Sequence, residues 1–358
     1  MSYKLKYKDR LSSVYKSSAL FFGAAIDEAL NYMLLNKNKK NVLKGSIKIF
    51  EEHWETQTDR TGEVTSLPKN PYILYSKYDF DGDLLQKSDW KEIFSMEKNP
   101  SGKRKAIEDL LKTCEFEDLS EENRMFYNFT SWLSLLRKGP LLLEAYYNEL
   151  LPQIKEVLEV QKEVVMEDEE GNKISGVVDL IVKLHSGDIV VGDNKTSSVD
   201  YDSDSVATSA QLSQYREMLN VEYGYNIKYA AYFVVSKKLE KDVTKICKSC
   251  GHKGEGSHKT CDNMIQSEID SKPMRCNGEW DKKVVIKTKT QLIMQEIPSH
   301  MGKNVLENYD AVIKCVTQEI YPRNFSACSG KFGNRCEYYK YCHQNSKVNL
   351  IDKNKKEQ

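Results

Sequence analysis

Three residues near the middle of the chain, Asp179, Asp193 and Lys195, are of types that could together do hydrolytic chemistry. They lie in GVVDLIVKLHSGDIVVGDNKTSS, residues 176–198, where a short polar turn, HSGD, separates two apolar runs that carry the carboxylates. Residues two apart on a strand share a face, so Asp193 and Lys195 point the same way. Asn194 points opposite and leaves its carbonyl near the strand edge. Asp179 comes beside Asp193 if the two strands pair. Ionised groups at the rim of an apolar core are costly unless they are paired or bind a metal. A salt bridge between Asp193 and Lys195 is the plainest reading. Two carboxylates and a main-chain carbonyl also make a hard oxygen site suited to Mg²⁺ or Mn²⁺. A lysine beside such a site can orient water and offset charge developing on a phosphate. Phosphodiester hydrolysis uses all of these parts.

These residues need strands to carry them. QKEVVMEDEEGNKISGVVDLIVKLHSGDIVVGDNKT reads as three short strands joined by the turns DEEGN and HSGD. A helix from about Ser209 to Leu219 follows, then the strand IKYAAYFVVSK and a later strand KVVIKTKT. Upstream, Ser12 to Leu35 reads as a helix with a serine cap. Residues from about 45 to 160 read as mostly helical, broken by a polar stretch near 57–72.

The segment 176–198 closely resembles the active-site strands of the PD-(D/E)XK nucleases, in particular the RecB-type branch. That branch shows a Gly-x-x-Asp strand and then an apolar strand ending in Asp-x-Lys-Thr. A helix with Gln-x-x-x-Tyr comes next, and QLSQY supplies Gln211 and Tyr215 one turn apart. The resemblance implies a mixed α/β sheet flanked by helices and metal-dependent attack of water on DNA, leaving a 5′-phosphate and a 3′-hydroxyl. Asp179 and Asp193 would hold Mg²⁺ or Mn²⁺ with the Asn194 carbonyl, and Lys195 would position water. Gln211 and Tyr215 would steady the substrate strand or the lysine. The family's N-terminal helix carries Gly-x-x-x-His as a further ligand; here Gly23 is followed by Asp27 in the histidine position. Aspartate is at least as good a Mg²⁺ ligand as imidazole.

Nine cysteines fall mainly in two clusters. CKSCGHKGEGSHKTC and RCNGEW supply Cys247, Cys250, Cys261 and Cys276 in a polar insert that a structural zinc would have to order. His252 and His258 are alternative ligands, since the spacing does not fit two symmetric knuckles. CSGKFGNRCEYYKYCH supplies Cys328, Cys336 and Cys342. This segment resembles one that binds a [4Fe–4S] cluster in some RecB-type nucleases. The early cysteine of that pattern is missing, so Cys114 or Cys315 would be the fourth ligand.

At 358 residues with 53 basic and 53 acidic side chains, the chain has no net charge to draw it to nucleic acid, so any anion-binding surface must be local. It shows no signal-peptide core and no membrane-length apolar run, which points to the cytoplasm, the host's if the gene is a phage's. The expected organisation is residues 1–35 as a core helix, 36–155 as a helical insertion and 156–246 as the nuclease core. A zinc insert at 247–280, a strand, helix and cysteine-rich segment at 281–345, and a disordered tail at 346–358 complete it. DNA ends or single strands are the expected substrate. A helicase or a replication or recombination protein is a candidate partner, though no Gly-x-x-x-x-Gly-Lys-Ser/Thr occurs. The rival reading is a catalytically silent DNA-binding or assembly module that works through the zinc insert.

Overall fold

The computed structural model describes residues 4–58, 64–66, 73–167, 171–254, 259–266, 273–321, 336, 338–344, 347 and 350–352. Helix α1 (Ser18–Leu35) starts where the Ser17 hydroxyl accepts the Ala19 N–H. Its start is later than expected, because Leu11–Ser13 form a short strand. That strand pairs antiparallel with Leu350–Asp352, inside the segment read as a disordered tail. Helices α2 (Val42–Glu55), α3 (Lys87–Met96), α4 (Pro100–Leu110) and α5 (Glu121–Ala145) follow. Arg104 is buried in α4, where its guanidinium donates to Thr130 and Ser131 and lies over the Phe80 and Tyr127 rings.

The sheet begins with β1 (Ile154–Glu167), β2 (Lys173–Leu184) and β3 (Ile189–Ser197), which form an antiparallel meander. Helices α6 (Ser203–Ala207) and α7 (Ala210–Glu222) then carry the chain across, so that β4 (Tyr229–Cys247) runs parallel to β3. The short β5 (Lys253–Gly254) pairs with the far end of β4, and β6 (Trp280–Glu296) pairs with β4 along its length. The result is a six-stranded mixed sheet, followed by helix α8 (Ser299–Thr317).

The helical reading of residues up to about 160 is overturned from Ile154 onward. Pro152 lacks the N–H that a continuing helix needs. The β1–β2 register shifts between Ile154 and Glu156 and again between Val157 and Glu159. These bulges place apolar residues at 154, 157 and 158, which imitates helical spacing.

Apolar clusters cover both faces of the sheet. On one, Phe22, Ile26 and Leu30 of α1 and Phe50 of α2 pack with Leu180, Val190 and Phe233. On the other, Leu212, Tyr215 and Leu219 of α7 pack with Val178, Val191 and Val234. Strand β3 runs through the middle, and its Val190 and Val191 are fully buried. Gly192 is a fixed point of that packing: a Cβ there would lie 2.8 Å from the Phe233 ring and 2.9 Å from Leu180 Cγ. Gly192→Ala is therefore expected to destabilise the fold by about 1–3 kcal/mol through overpacking, read from urea unfolding midpoints. An unchanged midpoint would mean that Phe233 moves aside freely.

Candidate active site and cysteine centre

The residues that precede Asp193 on β3 fix where it points. Leu180 pairs with Gly192, so one further step in the antiparallel register sets Asp179 opposite Asp193. The Asn194 N–H donates to Asp179 Oδ2 at 3.1 Å. Lys195 Nζ forms an ion pair with Asp193 Oδ2 and lies 5.5 Å from the centre of the Tyr232 ring. The salt bridge of the plainest reading is thus present, but it is not a surface pair: Asp193 is only 3% exposed.

Helix α1 supplies the opposite wall. Gly23, Asp27 and Leu30 line a cleft of about 430 Å³ together with Asp179, Asn194, Lys195 and Thr196. The structure therefore brings Asp27 to the other carboxylates across more than 150 residues of chain. Burial pushes the Asp27 carboxyl up, and the nearby Asp193 adds to the shift. Asp179 is pushed up to about 8, first by burial and then by the Asp193 carboxylate beside it and Asp27. Burial pulls the Lys195 ammonium down, but the Asp193 carboxylate outweighs it and the net shift is upward. Three carboxylates thus crowd round one ammonium. The donor set consists of hard oxygens with an excess of negative charge, which a divalent cation of the Mg²⁺ type would satisfy.

Gln211 and Tyr215 stand one turn apart on α7, and Gln211 Nε2 donates to the Tyr215 hydroxyl at 3.3 Å. The Tyr215 ring fills the space beside Gly176, where a Cβ would come within 2.6 Å of it. This explains a glycine three residues before Asp179: the tyrosine braces β2 through the space the glycine leaves. Gln211 itself is exposed.

Two residues at the site carry no signal in the sequence. Tyr146, fully buried just beyond α5, donates its hydroxyl to Asn194 Oδ1 at 3.1 Å. Burial pushes its phenol up, so it remains a donor. Gln161 has φ 51°, a left-handed conformation that is costly for a non-glycine residue in mid-strand. Its neighbours pair as Val160 with Leu180 and Lys162 with Val178, which places Gln161 level with Asp179. Its Nε2 donates to Asp27 Oδ2 at 3.3 Å. Only the pairing of β1 with β2 and the approach of α1 reveal either role.

At the far end of β4, the sulfurs of Cys247, Cys250, Cys261 and Cys276 all lie within 4.8 Å of one another. Cys247 and Cys276 are 3.6 Å apart, as are Cys250 and Cys261. Tetrahedral zinc with Zn–S bonds of about 2.3 Å sets its sulfurs about 3.8 Å apart. A four-iron cluster interposes metal–metal edges and holds its thiolates much further apart. The spacing therefore fits a single ion. His252 is turned to the Trp280 ring, with centroids 6.5 Å apart, and its carbonyl accepts the Cys247 N–H. His258 lies outside the described residues.

The second cysteine group does not converge in this way among the described residues. Cys336 and Cys342 pack with Leu5, Leu11 and Tyr338, whereas Cys114 lies against the main core and Cys315 belongs to α8. Cys328 lies outside the described residues. No helix among the described residues is long and apolar enough to cross a membrane.

The chain belongs to the PD-(D/E)XK nuclease superfamily, whose family model matches residues 86–343. Proteins of this superfamily are in general metal-dependent nucleases. The matched span holds Asp179, Asp193, Lys195, Gln211 and Tyr215, and Asp27 precedes it. No curated protein matches the chain.

The Asp179 shift has a consequence for stability. Between its ordinary value of 3.8 and about 8, the folded protein keeps a proton on Asp179 that the unfolded chain has released. This stabilisation is complete below the ordinary value and is lost as pH rises through the folded one. Without added divalent cation, the melting temperature should fall as pH rises across that interval, and Asp179→Asn should flatten the slope. Parallel slopes in thermal melts of the two proteins would show that Asp179 carries no such proton.

Proposed function

We propose that the protein is a Mg²⁺- or Mn²⁺-dependent deoxyribonuclease that acts on DNA ends or single strands. The observation that carries this reading is that Asp179, Asp27 and Lys195 line one cleft, with Asp193 buried behind them beside Asp179 and paired to Lys195. Asp179, Asp193 and the Asn194 carbonyl, with Asp27 from α1, would hold the cation. When bound, the cation polarises the phosphate and lowers the pKa of an attacking water. Lys195, held between Asp193 and Tyr232, orients that water and offsets charge growing on the phosphoryl oxygens. Thr196, which also lines the cleft, offers a hydroxyl to a phosphate oxygen. Gln211 stands on the exposed end of α7, free to meet the substrate strand, while Tyr215 braces β2 beneath the carboxylates. Cleavage with these roles leaves a 5′-phosphate and a 3′-hydroxyl.

The four converging cysteines support a structural zinc, which would tie the CKSC turn of β4 to the start of β6. The remaining cysteines would hold an iron–sulfur cluster only if Cys114 or Cys315 joined the C-terminal group.

Asp193→Ala and Lys195→Ala should each lower cleavage of end-labelled DNA by on the order of 10³-fold or more, while circular dichroism shows the parent fold. Parent-rate cleavage by Asp193→Ala would sink the assignment of this cleft. Metal analysis should find about one zinc per chain, and Cys250→Ser should remove it and expose residues 247–280 to protease. Protein without zinc whose insert nevertheless resists protease would overturn the zinc reading.

A further inference from the structure

Beyond Ser236, β4 leaves β3 behind and continues as a ribbon with β6 alone until β5 joins it near Cys247. The β4–β6 register slips at this departure, where Val235 pairs with Thr290 but Leu239 pairs with Thr288. From Glu240 to Thr244 every residue of β4 is exposed, while Val285 and Ile286, which face this stretch from β6, are half-buried. From Leu239 to Cys247 the ribbon rises roughly 27 Å. A two-stranded ribbon of this kind is marginal by itself. Here it is fixed at both ends. Lys241 bridges to Asp81 at 3.1 Å and to Asp83 at 2.5 Å at the base, and the cysteine centre closes the tip.

We propose that this ribbon is a nucleic-acid arm, which grips the phosphate backbone of the duplex flanking the strand in the cleft. The inference rests on the reading of the cleft as a nuclease site. Charge is the first observation. Residues 237–253 and 280–289 carry ten lysines against Glu240, Asp242 and Asp281, in a chain whose overall charge is zero. Four of them have carboxylate partners: Lys238 with Asp200, Lys241 with Asp81 and Asp83, Lys248 with Glu279, and Lys289 with Glu240. With Asp200, Asp81, Asp83 and Glu279 added to the three acids of the ribbon, the lysines still outnumber the carboxylates by ten to seven. Lysine on a sheet edge also guards against unwanted strand pairing, a role compatible with phosphate binding.

Position is the second observation. Strand β3 delivers Asp193 and Lys195 and ends at Ser197, level with Ser236 of the parallel β4. The ribbon therefore leaves the sheet in the direction in which β3 runs past the cleft. Nucleic acid longer than the cleft, lying along that direction, meets the lysines next.

The absence of aromatics is the third observation, and it selects the form of nucleic acid. Between Lys237 and Ile246 of β4 and between Asp281 and Lys289 of β6 there is no Phe, Tyr or Trp. Single-strand binders rely on aromatic side chains to stack unpaired bases. A lysine-rich ribbon without them is suited to phosphates, and the major groove of a duplex admits a two-stranded ribbon.

The test is the affinity of the full-length, zinc-loaded protein for a labelled blunt duplex and for the matching single strand, measured by fluorescence anisotropy across a salt series without Mg²⁺. Replacing Lys245, Lys253 and Lys287 together by Ala should weaken duplex binding about tenfold or more and make the salt slope shallower by ~0.9 for each phosphate that the arm no longer neutralises. The loss should be smaller on the single strand. Arg at the same three positions should restore both affinity and slope. Asp242→Asn should tighten duplex binding, a gain that misfolding cannot imitate. Unchanged duplex affinity and slope in the Ala variant, or equal losses on both substrates, would overturn the proposed arm. A wild-type protein that cleaves neither end-labelled form with Mg²⁺ or Mn²⁺ would instead remove the nuclease reading on which the arm rests.

Discussion

Uncompensated negative charge in a half-buried cleft is the constraint on which the rest of this structure depends. Asp27, Asp179 and Asp193 lie near one another, and among the described residues Lys195 is the cation that pairs with them. Carboxylates so placed repel one another and forgo hydration, so without a cation the arrangement costs stability. The upward shifts of Asp27 and Asp179 record the same cost from the side of the protons. A protein keeps such a cleft for chemistry. Membership of a superfamily of metal-dependent nucleases gives that chemistry its class.

Holding the carboxylates in place requires support from residues that do not line the cleft. Tyr215 presses on Gly176 from α7, Phe233 closes over Gly192 from β4, and Tyr146 holds the Asn194 side chain from the end of the helical insertion. Gln161 accepts a left-handed backbone and reaches Asp27. The insertion is therefore joined to the site through Tyr146, and its long helix α5 leads directly to that residue. Local strain at Gln161 and close packing at the two glycines serve one end, a fixed separation between strand carboxylates and helix carboxylate.

The cysteine centre solves a different problem. A two-stranded ribbon with one strand exposed from Glu240 to Thr244 buries little apolar surface to hold its own register. Four sulfurs at single-ion spacing, with Trp280 packed against Gly254 beside them, give the tip a small core that its polar sequence lacks. The Lys241 bridge to the insertion fixes the base. Rigidity at both ends lets a strand pair with little packing of its own project a concentrated positive charge in a defined direction.

Much of this was legible in the sequence, because it depends on spacing within single elements. The strand period puts Asp193 and Lys195 on one face, the short HSGD turn forces β2 and β3 to pair, and Gln211 and Tyr215 lie one helical turn apart. Cys247 and Cys250 stand at a spacing suited to metal ligation. The first part of β1 was not legible, since its bulges give apolar residues a helical spacing that only pairing with β2 overrules. Nor were Tyr146 and Gln161, whose residue types say nothing until distant segments meet. The place of Asp27 in the cleft and the union of Cys261 and Cys276 with the CKSC turn were likewise decided in three dimensions. The sequence determined which groups share a strand or helix face, because backbone geometry sets those periods locally. The tertiary structure decided which faces meet, because that depends on packing between segments that sequence separation does not encode.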